Sequence, residues 1–142
     1  MLNTDDIHVD IVVPNKKRYL SLIGNIAEEV ARALANYGGD RDALAFHLNL
    51  VLTEAMVNAI EHSTPIDTEQ TVRVCIFIEE EDLCVRVYDH GQGFDIDGIP
   101  MPDPDDLSER GRGIFLIRSL MDAVKYRKTE AGNVLEMHKR LF

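Results

Sequence analysis

The segment RDALAFHLNLVLTEAMVNAIEH, residues 41–62, contains the longest apolar pattern in the chain. Its hydrophobic residues recur at spacings of three and four, which places them along one side of an α-helix. The residues of this stripe are Leu44, Leu48, Val51, Ala55 and Ala59. Further residues make the helix apolar nearly all round, namely Leu50, Leu52, Met56, Val57 and Ile60. We therefore expect a helix that is buried on several sides.

Upstream of this helix, the pattern predicts one strand and one further helix. Ile7 to Val13 is rich in Val and Ile and alternates weakly, as a strand does, and Pro14 is expected to end it. Residues 15–37 carry apolar positions three and four apart, which predicts a helix with one apolar stripe. Gly38-Gly39 is expected to end that helix, and Asp40 is suited to cap the next one.

Downstream of residue 62, alternation with a period of two predicts strands, and Gly and Pro mark the connections. The expected elements are a hairpin of residues 71–78 and 83–87, a long loop over 90–112, a short helix over 113–123, and strands over 124–128 and 133–141. This order favours an α+β fold. We predict a single domain over residues 1–142, a two-layer sandwich with helices on one face of a mixed, mostly antiparallel sheet.

Composition narrows the class of protein. The chain has 142 residues, of which 45% are hydrophobic and 28% are charged, as is typical of one soluble globular domain. Its net charge of −10 repels nucleic-acid phosphates, so direct DNA or RNA binding is not expected. No apolar run approaches the roughly 20 residues of a membrane span, and the N-terminus lacks a secretory signal pattern. A cytoplasmic location without membrane contact is therefore expected.

Two polar side chains interrupt the apolar helix of residues 41–62. Glu54 and Asn58 are one turn apart and about 40° apart around the axis, so they lie on the same side. A carboxylate and an amide on so apolar a helix are costly without partners. The amide oxygen of Asn58 suits a hard cation such as Mg2+, and the Glu54 carboxylate suits the deprotonation of a nucleophile. Taken alone, the pair is better explained by two residues that simply face solvent.

Asp89 follows the strand of residues 83–87 and has the parity of its core-facing side chains. Its carboxylate is therefore expected between the sheet and the helices, where it needs a hydrogen-bond donor. The exocyclic amino group of adenine is one such donor, and nearby backbone amides of a turn are the alternative. The glycines that follow, Gly91 and Gly93, allow a tight turn and the close approach of a ligand.

Gly111-Arg112-Gly113 opens the predicted helix of residues 113–123. Glycines at a helix N-terminus expose backbone N–H groups, and the helix dipole favours an anion there. Phosphate groups are the obvious candidates, and Arg110 and Arg112 add positive charge beside them. The alternative is an ordinary junction between a loop and a helix, with glycines for flexibility.

Three motifs, taken together, resemble those of a known family. They are Glu54-x-x-x-Asn58-Ala59-x-x-His62, Asp89-x-Gly91-x-Gly93-Phe94-Asp95 and Gly111-Arg112-Gly113-x-x-Leu116-Ile117. In this order they resemble the N, G1 and G2 boxes of the gyrase/histidine-kinase-type (GHKL, HATPase) ATPases. Within that family the chain looks most like the small anti-sigma-factor serine kinases that act by partner switching, especially over residues 51–63 and 110–124.

The resemblance implies the Bergerat-type ATP-binding fold, with ATP and Mg2+ as cofactors, and a role for each matching residue. Glu54 would be the catalytic base toward a serine or threonine hydroxyl. Asn58 would bind Mg2+, and Asp89 would bond the adenine amino group. The residues around the adenine and the phosphates would be Gly91, Gly93, Arg110, Gly111, Arg112 and Gly113.

An activity and partners are implied as well. The chain would be a protein serine/threonine kinase and anti-sigma factor that phosphorylates a STAS-type antagonist and binds a sigma factor or similar regulator. A homodimer is also implied, and the sheet face opposite the helices is rather apolar for a face in water, with Cys75, Phe77, Cys84 and Tyr88. The main alternative is a nucleotide-gated binding regulator without kinase activity, and a detached ATP domain that acts in trans is a further one.

Overall fold

The computed structural model describes residues 6–35, 37–61, 70–90, 112–129 and 132–141. The elements follow the order predicted from the sequence. They are β1 (His8–Pro14), a 3-10 turn (Lys17–Tyr19), α1 (Leu20–Ala33), α2 (Arg41–Glu61), β2 (Thr71–Glu79), β3 (Asp82–Asp89), α3 (Arg112–Leu120), β4 (Ala123–Thr129) and β5 (Gly132–Arg140). The predicted α+β class is confirmed.

The five strands form one sheet in the order β1-β2-β3-β5-β4, and each pairing is antiparallel. The parallel component expected of a mixed sheet is not found among the described strands. Short turns join β2 to β3 and β4 to β5, and a parallel pair would instead need a long crossover. β5 lies between β3 and β4 and runs antiparallel to both.

The inner face of the sheet is built from every second residue of its central strands. These residues are Val72, Val74, Ile76, Leu83, Val85, Val87, Leu135 and Met137, and all of them are buried. They belong to one hydrophobic core with apolar residues of α1, α2 and α3. Burying one such side chain contributes about 1.5–3 kcal/mol, so apolar contact is the main force that holds the helices to the sheet.

α2 ends one residue before the predicted limit, and its predicted stripe is buried as expected. Its N-terminus is capped by Asp40, whose Oδ1 accepts the backbone N–H groups of Asp42 at 3.0 Å and Ala43 at 3.2 Å. Among the described helices, α2 alone is long and apolar enough to cross a membrane, by length and composition only. The sequence shows no uninterrupted apolar run of that length, so this property was not expected. Eight of its residues lie in the core, so packing against α1 and the sheet accounts for its apolarity.

α1 is shorter at both ends than the predicted helix of residues 15–37. A 3-10 turn precedes it, and the chain is already extended at Leu34, with φ −64° and ψ 121°. The Arg41 guanidinium donates to the carbonyl oxygens of Leu34 and Tyr37. Carbonyl groups at the end of a helix need such donors. The helix therefore ends at Ala33, several residues before Gly38-Gly39, and the prediction that the glycines end it is wrong.

The face of the sheet opposite the helices, called the open face below, is more polar than predicted. Its outward residues include Asp10, Val12, Arg73, Cys75, Phe77, Cys84, Arg86, Tyr88, Val134, Glu136 and His138. Arg73 donates to both carboxylate oxygens of Asp10, at 2.9 and 2.7 Å, and Arg86 donates to Glu136 at 2.6 Å. Both guanidinium groups also lie over aromatic rings, those of Tyr88 and Phe77. Four charged groups of this face are thus paired with one another, whereas Lys125 and Arg127 are exposed on its β4 edge.

Both cysteines of the open face are free and buried. Burial raises the pKa of the Cys75 thiol, and it raises the pKa of Cys84 to about 12, with Glu79 adding to the effect. Both groups are therefore protonated thiols near neutral pH.

Candidate nucleotide site

α2 brings the three sequence motifs together, because it packs against both α3 and β3. Glu54 and Asn58 lie on its C-terminal half, and both are partly buried. Asp89 is the last residue of β3, and Gly113 lies in the first turn of α3. The carboxylate and amide of the first motif therefore lie on a helix that contacts the elements carrying the other two motifs.

The side chain of Asn58 is incompletely bonded. Its Nδ2 atom is buried and has no hydrogen-bond partner among the described residues. A buried polar atom left without a partner costs about 1–3 kcal/mol. The two ends of an amide exchange places by a rotation of its last torsion, so this position is able to present either a donor or the oxygen that a cation requires. Within the described part of the chain, the amide of Asn58 thus has the chemistry to take a ligand or an ion.

The Glu54 carboxylate lies directly against the first turn of α3. A Cβ atom built on Gly113 would be only 2.6 Å from Glu54 Oε2. The N-terminus of α3, where backbone N–H groups lack partners within the helix, is therefore next to the carboxylate. The structure thus brings the Glu54 motif and the Gly113 motif together, while the roles of both residues stay predictions.

Several predicted site residues fall outside the described part of the chain. They are Gly91, Gly93, Arg110 and Gly111, together with the side chain of Arg112. The backbone of Arg112 is described, and it is the first residue of α3, one position before the predicted start at Gly113. The roles of these residues stay predictions.

The expected inward orientation of Asp89 is confirmed. Its side chain is 6% exposed and is paired in register with Asn133 of β5, which is 4% exposed. Asn133 Nδ2 donates a hydrogen bond of 3.0 Å to Asp89 Oδ1. The sequence analysis expected a ligand or a turn amide as the donor, and the structure adds a buried side chain from another strand.

Gly132 allows β5 to approach the end of β3 closely. It has φ of 136°, a conformation that disfavours residues with a side chain. A Cβ atom at this position would lie 2.5 Å from the backbone oxygen of Asp89 and 3.1 Å from His90 Nδ1. Substitution would push the two strand ends apart, so Gly132 and Asn133 together fix the position of the Asp89 carboxylate.

Gly132 and Asn133 are not among the predicted site residues, because one lies in the connection before the last predicted strand and the other is the first residue of that strand. The signal that would have identified them is a Gly-Asn pair at the start of a strand, opposite a buried acid. That signal can be recognised only when β3 is known to pair with β5, and α3 and β4 lie between these two strands along the sequence.

A cavity of about 380 Å³ opens beside the Asp89–Asn133 pair. Its walls include Val12, Arg73, Tyr88 and Val134, which belong to the open face. It therefore lies mainly on the side of the sheet away from α2, and we do not assign it to the nucleotide. Gly91 and Gly93, which are predicted to shape the adenine pocket, lie outside the described residues.

The described residues contain no group of three His, Cys, Asp or Glu side chains arranged to hold a metal ion. A magnesium ion bound together with a nucleotide has little need of one, since Mg2+ usually keeps several waters and takes only one or two protein ligands besides the phosphates. Asn58, with its buried and incompletely bonded amide, fits that pattern.

Comparison with known proteins gives a consistent result. A family described as the histidine kinase-like ATPase domain matches residues 13–139. The protein named Serine-protein kinase RsbW from Staphylococcus epidermidis is 30% identical, over 98% of this chain and 89% of its own length. The protein of the same name from Bacillus subtilis (strain 168) is 29% identical, over 99% of this chain and 89% of its own length.

The fold has a counterpart among solved structures. The histidine kinase domain of the blue-light activated histidine kinase from Erythrobacter litoralis EL346 superposes with a TM-score of 0.56 at 17% identity, over 91% of this chain and 62% of that chain. At this identity the likeness shows the shared fold alone. The chain belongs to the histidine kinase-like ATPase domain family, among its serine-protein kinases, as the three motifs predicted.

Proposed function

We propose that the chain is an ATP-dependent serine/threonine protein kinase that acts as an anti-sigma factor in a partner-switching system. Its substrate would be a hydroxyl group on a STAS-type antagonist. The observation that carries the proposal is the position of the Glu54 carboxylate, against the first turn of α3 and one helical turn from the incompletely bonded Asn58. A module that only bound nucleotide would need a partner for the adenine and the metal but no carboxylate at this place.

In the proposed reaction each residue has one task. Glu54 accepts the proton of the attacking hydroxyl as the oxygen bonds to the γ-phosphorus, and ADP leaves with the former bridging oxygen. The α3 N-terminus binds the phosphate oxygens through its backbone N–H groups, with Arg110, Gly111 and Arg112 beside it. When bound through Asn58, Mg2+ would neutralise the phosphate charge.

At the other end of the site, Asp89 would accept a hydrogen bond from the adenine amino group. Asn133 Nδ2 donates to Asp89 Oδ1 at 3.0 Å, and this hydrogen bond would hold the carboxylate in place for the adenine. Gly91 and Gly93 would complete the adenine pocket, as the family resemblance implies. Guanine carries an oxygen where adenine has its amino group, so the same carboxylate would disfavour it.

The proposed partners follow from charge and from the family. A net charge of −10 suits association with a basic protein surface, and a sigma factor or similar regulator is the partner we propose. Phosphorylation of the antagonist would leave the chain free to hold that partner. The proposed setting is the cytoplasm, where ATP is available and where the thiols of Cys75 and Cys84 stay reduced.

We also propose a homodimer formed through the open face. Two ion pairs lie at the centre of this face, Arg73 with Asp10 and Arg86 with Glu136, and a second copy would leave these four groups paired. Val12, which is 59% exposed, lines the cavity on this face. Light scattering should give twice the chain mass, and Val12→Asp should shift it toward the monomer. A monomeric mass for the unaltered chain would contradict the dimer.

The function is tested by incubating the chain with ATP, Mg2+ and a purified candidate STAS protein. We expect phosphate on one serine or threonine of that protein, and no transfer with Glu54→Gln. Stable ATP binding without transfer to any candidate partner would favour the nucleotide-gated regulator instead. An undiminished rate for Glu54→Gln would show that Glu54 is not the base.

A further inference from the structure

Gly113 lies in the first turn of α3, although helix energetics do not favour glycine there. Alanine is the better helix former, because glycine loses more conformational freedom on folding. Nor does the backbone require glycine at this position. Gly132 is the only glycine with a left-handed φ in the part of the chain that the structure describes. Another feature must account for glycine at residue 113.

The space next to Gly113 is filled by Glu54. The three heavy atoms nearest to an added Cβ all belong to that side chain: Oε2 at 2.6 Å, and Cβ and Cδ at 3.6 Å each. Two of these distances are ordinary van der Waals contacts, and only the carboxylate oxygen is too close. A methyl group at residue 113 would therefore meet the end of a flexible side chain and leave the two helices in place.

Gly24, at the contact of α1 and α2, shows the opposite case. A Cβ there would lie 2.5, 2.9 and 3.2 Å from three atoms of the Asn49 amide. The whole end of that side chain blocks the position, so Gly24 serves the close packing of two helices. At Gly113, by contrast, an added Cβ would be too close to one atom only, the carboxylate oxygen Oε2 of Glu54.

We propose that Gly113 is a positioning residue for the Glu54 carboxylate, in addition to its expected part in phosphate binding. Its missing side chain leaves the space in which Oε2 is held beside the start of α3. The inference rests on the proposed function for its catalytic consequence, because Glu54 is there the base. The contact itself depends only on the two residues.

The chemical consequence follows from distance. A methyl carbon and an oxygen rest at about 3.5 Å, so the methyl group that Gly113→Ala introduces would move Oε2 by about 1 Å. A base must be within hydrogen-bond reach of the proton that it removes. A misplacement of this size reduces a rate by up to about 100-fold without preventing the substrate from binding.

The test is a double-mutant cycle in the full chain with Gly113→Ala, Glu54→Ala and the double variant. Ser119→Ala is the matched control, because it also introduces alanine into α3, at an exposed position away from Glu54. Three quantities are measured for each variant: the melting temperature, the affinity for ATP, and the kcat and KM for phosphate transfer to the STAS protein.

We expect Gly113→Ala to lower kcat by about 10- to 100-fold. The affinity for ATP should change by less than about threefold, because alanine keeps the backbone N–H that is expected to contact the phosphates. The double variant should transfer phosphate no more slowly than Glu54→Ala alone. The melting temperature should respond more favourably to Gly113→Ala when residue 54 is alanine, because the carboxylate that opposes the methyl is then absent. Ser119→Ala should leave kcat and ATP affinity unchanged.

Two results would overturn the inference. One is an equal loss of ATP affinity on Gly113→Ala with and without Glu54, which would assign the glycine to phosphate binding alone. The other is strict additivity of the two melting-temperature changes. The melting temperatures need no phosphate transfer, so they test the contact between Glu54 and Gly113 even if the unaltered chain is inactive. An inactive unaltered chain would reject the proposed function but not this contact.

Discussion

Two acid–asparagine pairs mark the two ends of the site, and in the described part of the chain their asparagines differ in hydrogen bonding. Asp89 and Asn133 are both buried and are joined by a hydrogen bond of 3.0 Å. Glu54 and Asn58 are partly buried, and Asn58 Nδ2 is buried without a partner among the described residues. The end proposed for adenine is therefore preformed, whereas the end proposed for the phosphates keeps a polar group available for a ligand.

The difference has an energetic reason. A buried carboxylate such as Asp89 must be hydrogen-bonded in the folded protein, whatever else it binds. A neutral amide is less costly to leave incompletely bonded, at about 1–3 kcal/mol, and that free energy is recovered when a ligand binds.

At the phosphate end, we expect the substitution of Glu54 to cause the largest loss of phosphate transfer. Glu54→Gln keeps the shape of the side chain and removes the base, so kcat for phosphate transfer should fall by about 100-fold or more. Calorimetry should give an ATP affinity close to that of the unaltered chain. A parallel loss of affinity and rate would mean that Glu54 binds the nucleotide and does not act as the base.

The adenine end is tested at Asp89. Asp89→Asn should weaken ATP by roughly 10- to 100-fold, the value of one hydrogen bond to a charged group. The affinity for GTP should fall much less, so the ratio of the two affinities is the informative quantity. If the ratio of ATP affinity to GTP affinity were unchanged in Asp89→Asn, the proposal that Asp89 accepts a hydrogen bond from adenine would be contradicted.

The two asparagines should differ in their effect on folding. Asn133→Leu removes the donor to a buried carboxylate and should lower the free energy of unfolding by about 1–3 kcal/mol. Asn58→Leu removes an amide with an unbonded nitrogen and should leave that free energy unchanged or raise it. Urea titration of both variants in the absence of nucleotide measures this, and equal destabilisation would remove the distinction between the two ends.

A smaller effect is expected away from both ends. The hydrogen bonds from Arg73 lower the pKa of Asp10 on the open face to about 2. The folded value lies below the unfolded value of about 3.9, so the stabilisation is present above pH 4 and is lost as the pH falls toward 2. Asp10→Asn should therefore show a shallower decline in melting temperature over that range. Its ATP affinity at pH 7 should match that of the unaltered chain, and a change there would link the open face to the site.

The sequence was informative where a pattern is local. The period of α2 placed Glu54 and Asn58 on one side, and the parity of β3 turned Asp89 inward, because both depend on residues only a few positions apart. The cap at Asp40 was predictable for the same reason. Each of these features is found in the structure.

The sequence was silent where the outcome depends on distant contacts. The early end of α1 depends on the Arg41 side chain, which reaches back from α2 to the carbonyl oxygens of Leu34 and Tyr37. The pairing of Asn133 with Asp89 could not be predicted, because it depends on the register between β3 and β5. The polar character of the open face arises from pairs across strands, such as Arg86 with Glu136, which no single strand reveals.

The most direct test of the unequal site is the effect of Mg2+ on ATP affinity. Titration of the unaltered chain with ATP, with and without Mg2+, should give tighter binding when the ion is present. Asn58→Ala should bind ATP with the same affinity in both conditions, while Asn133→Ala should retain the response to Mg2+. Full retention of that response by Asn58→Ala would contradict the conclusion that Asn58 is the group left available for the ligand.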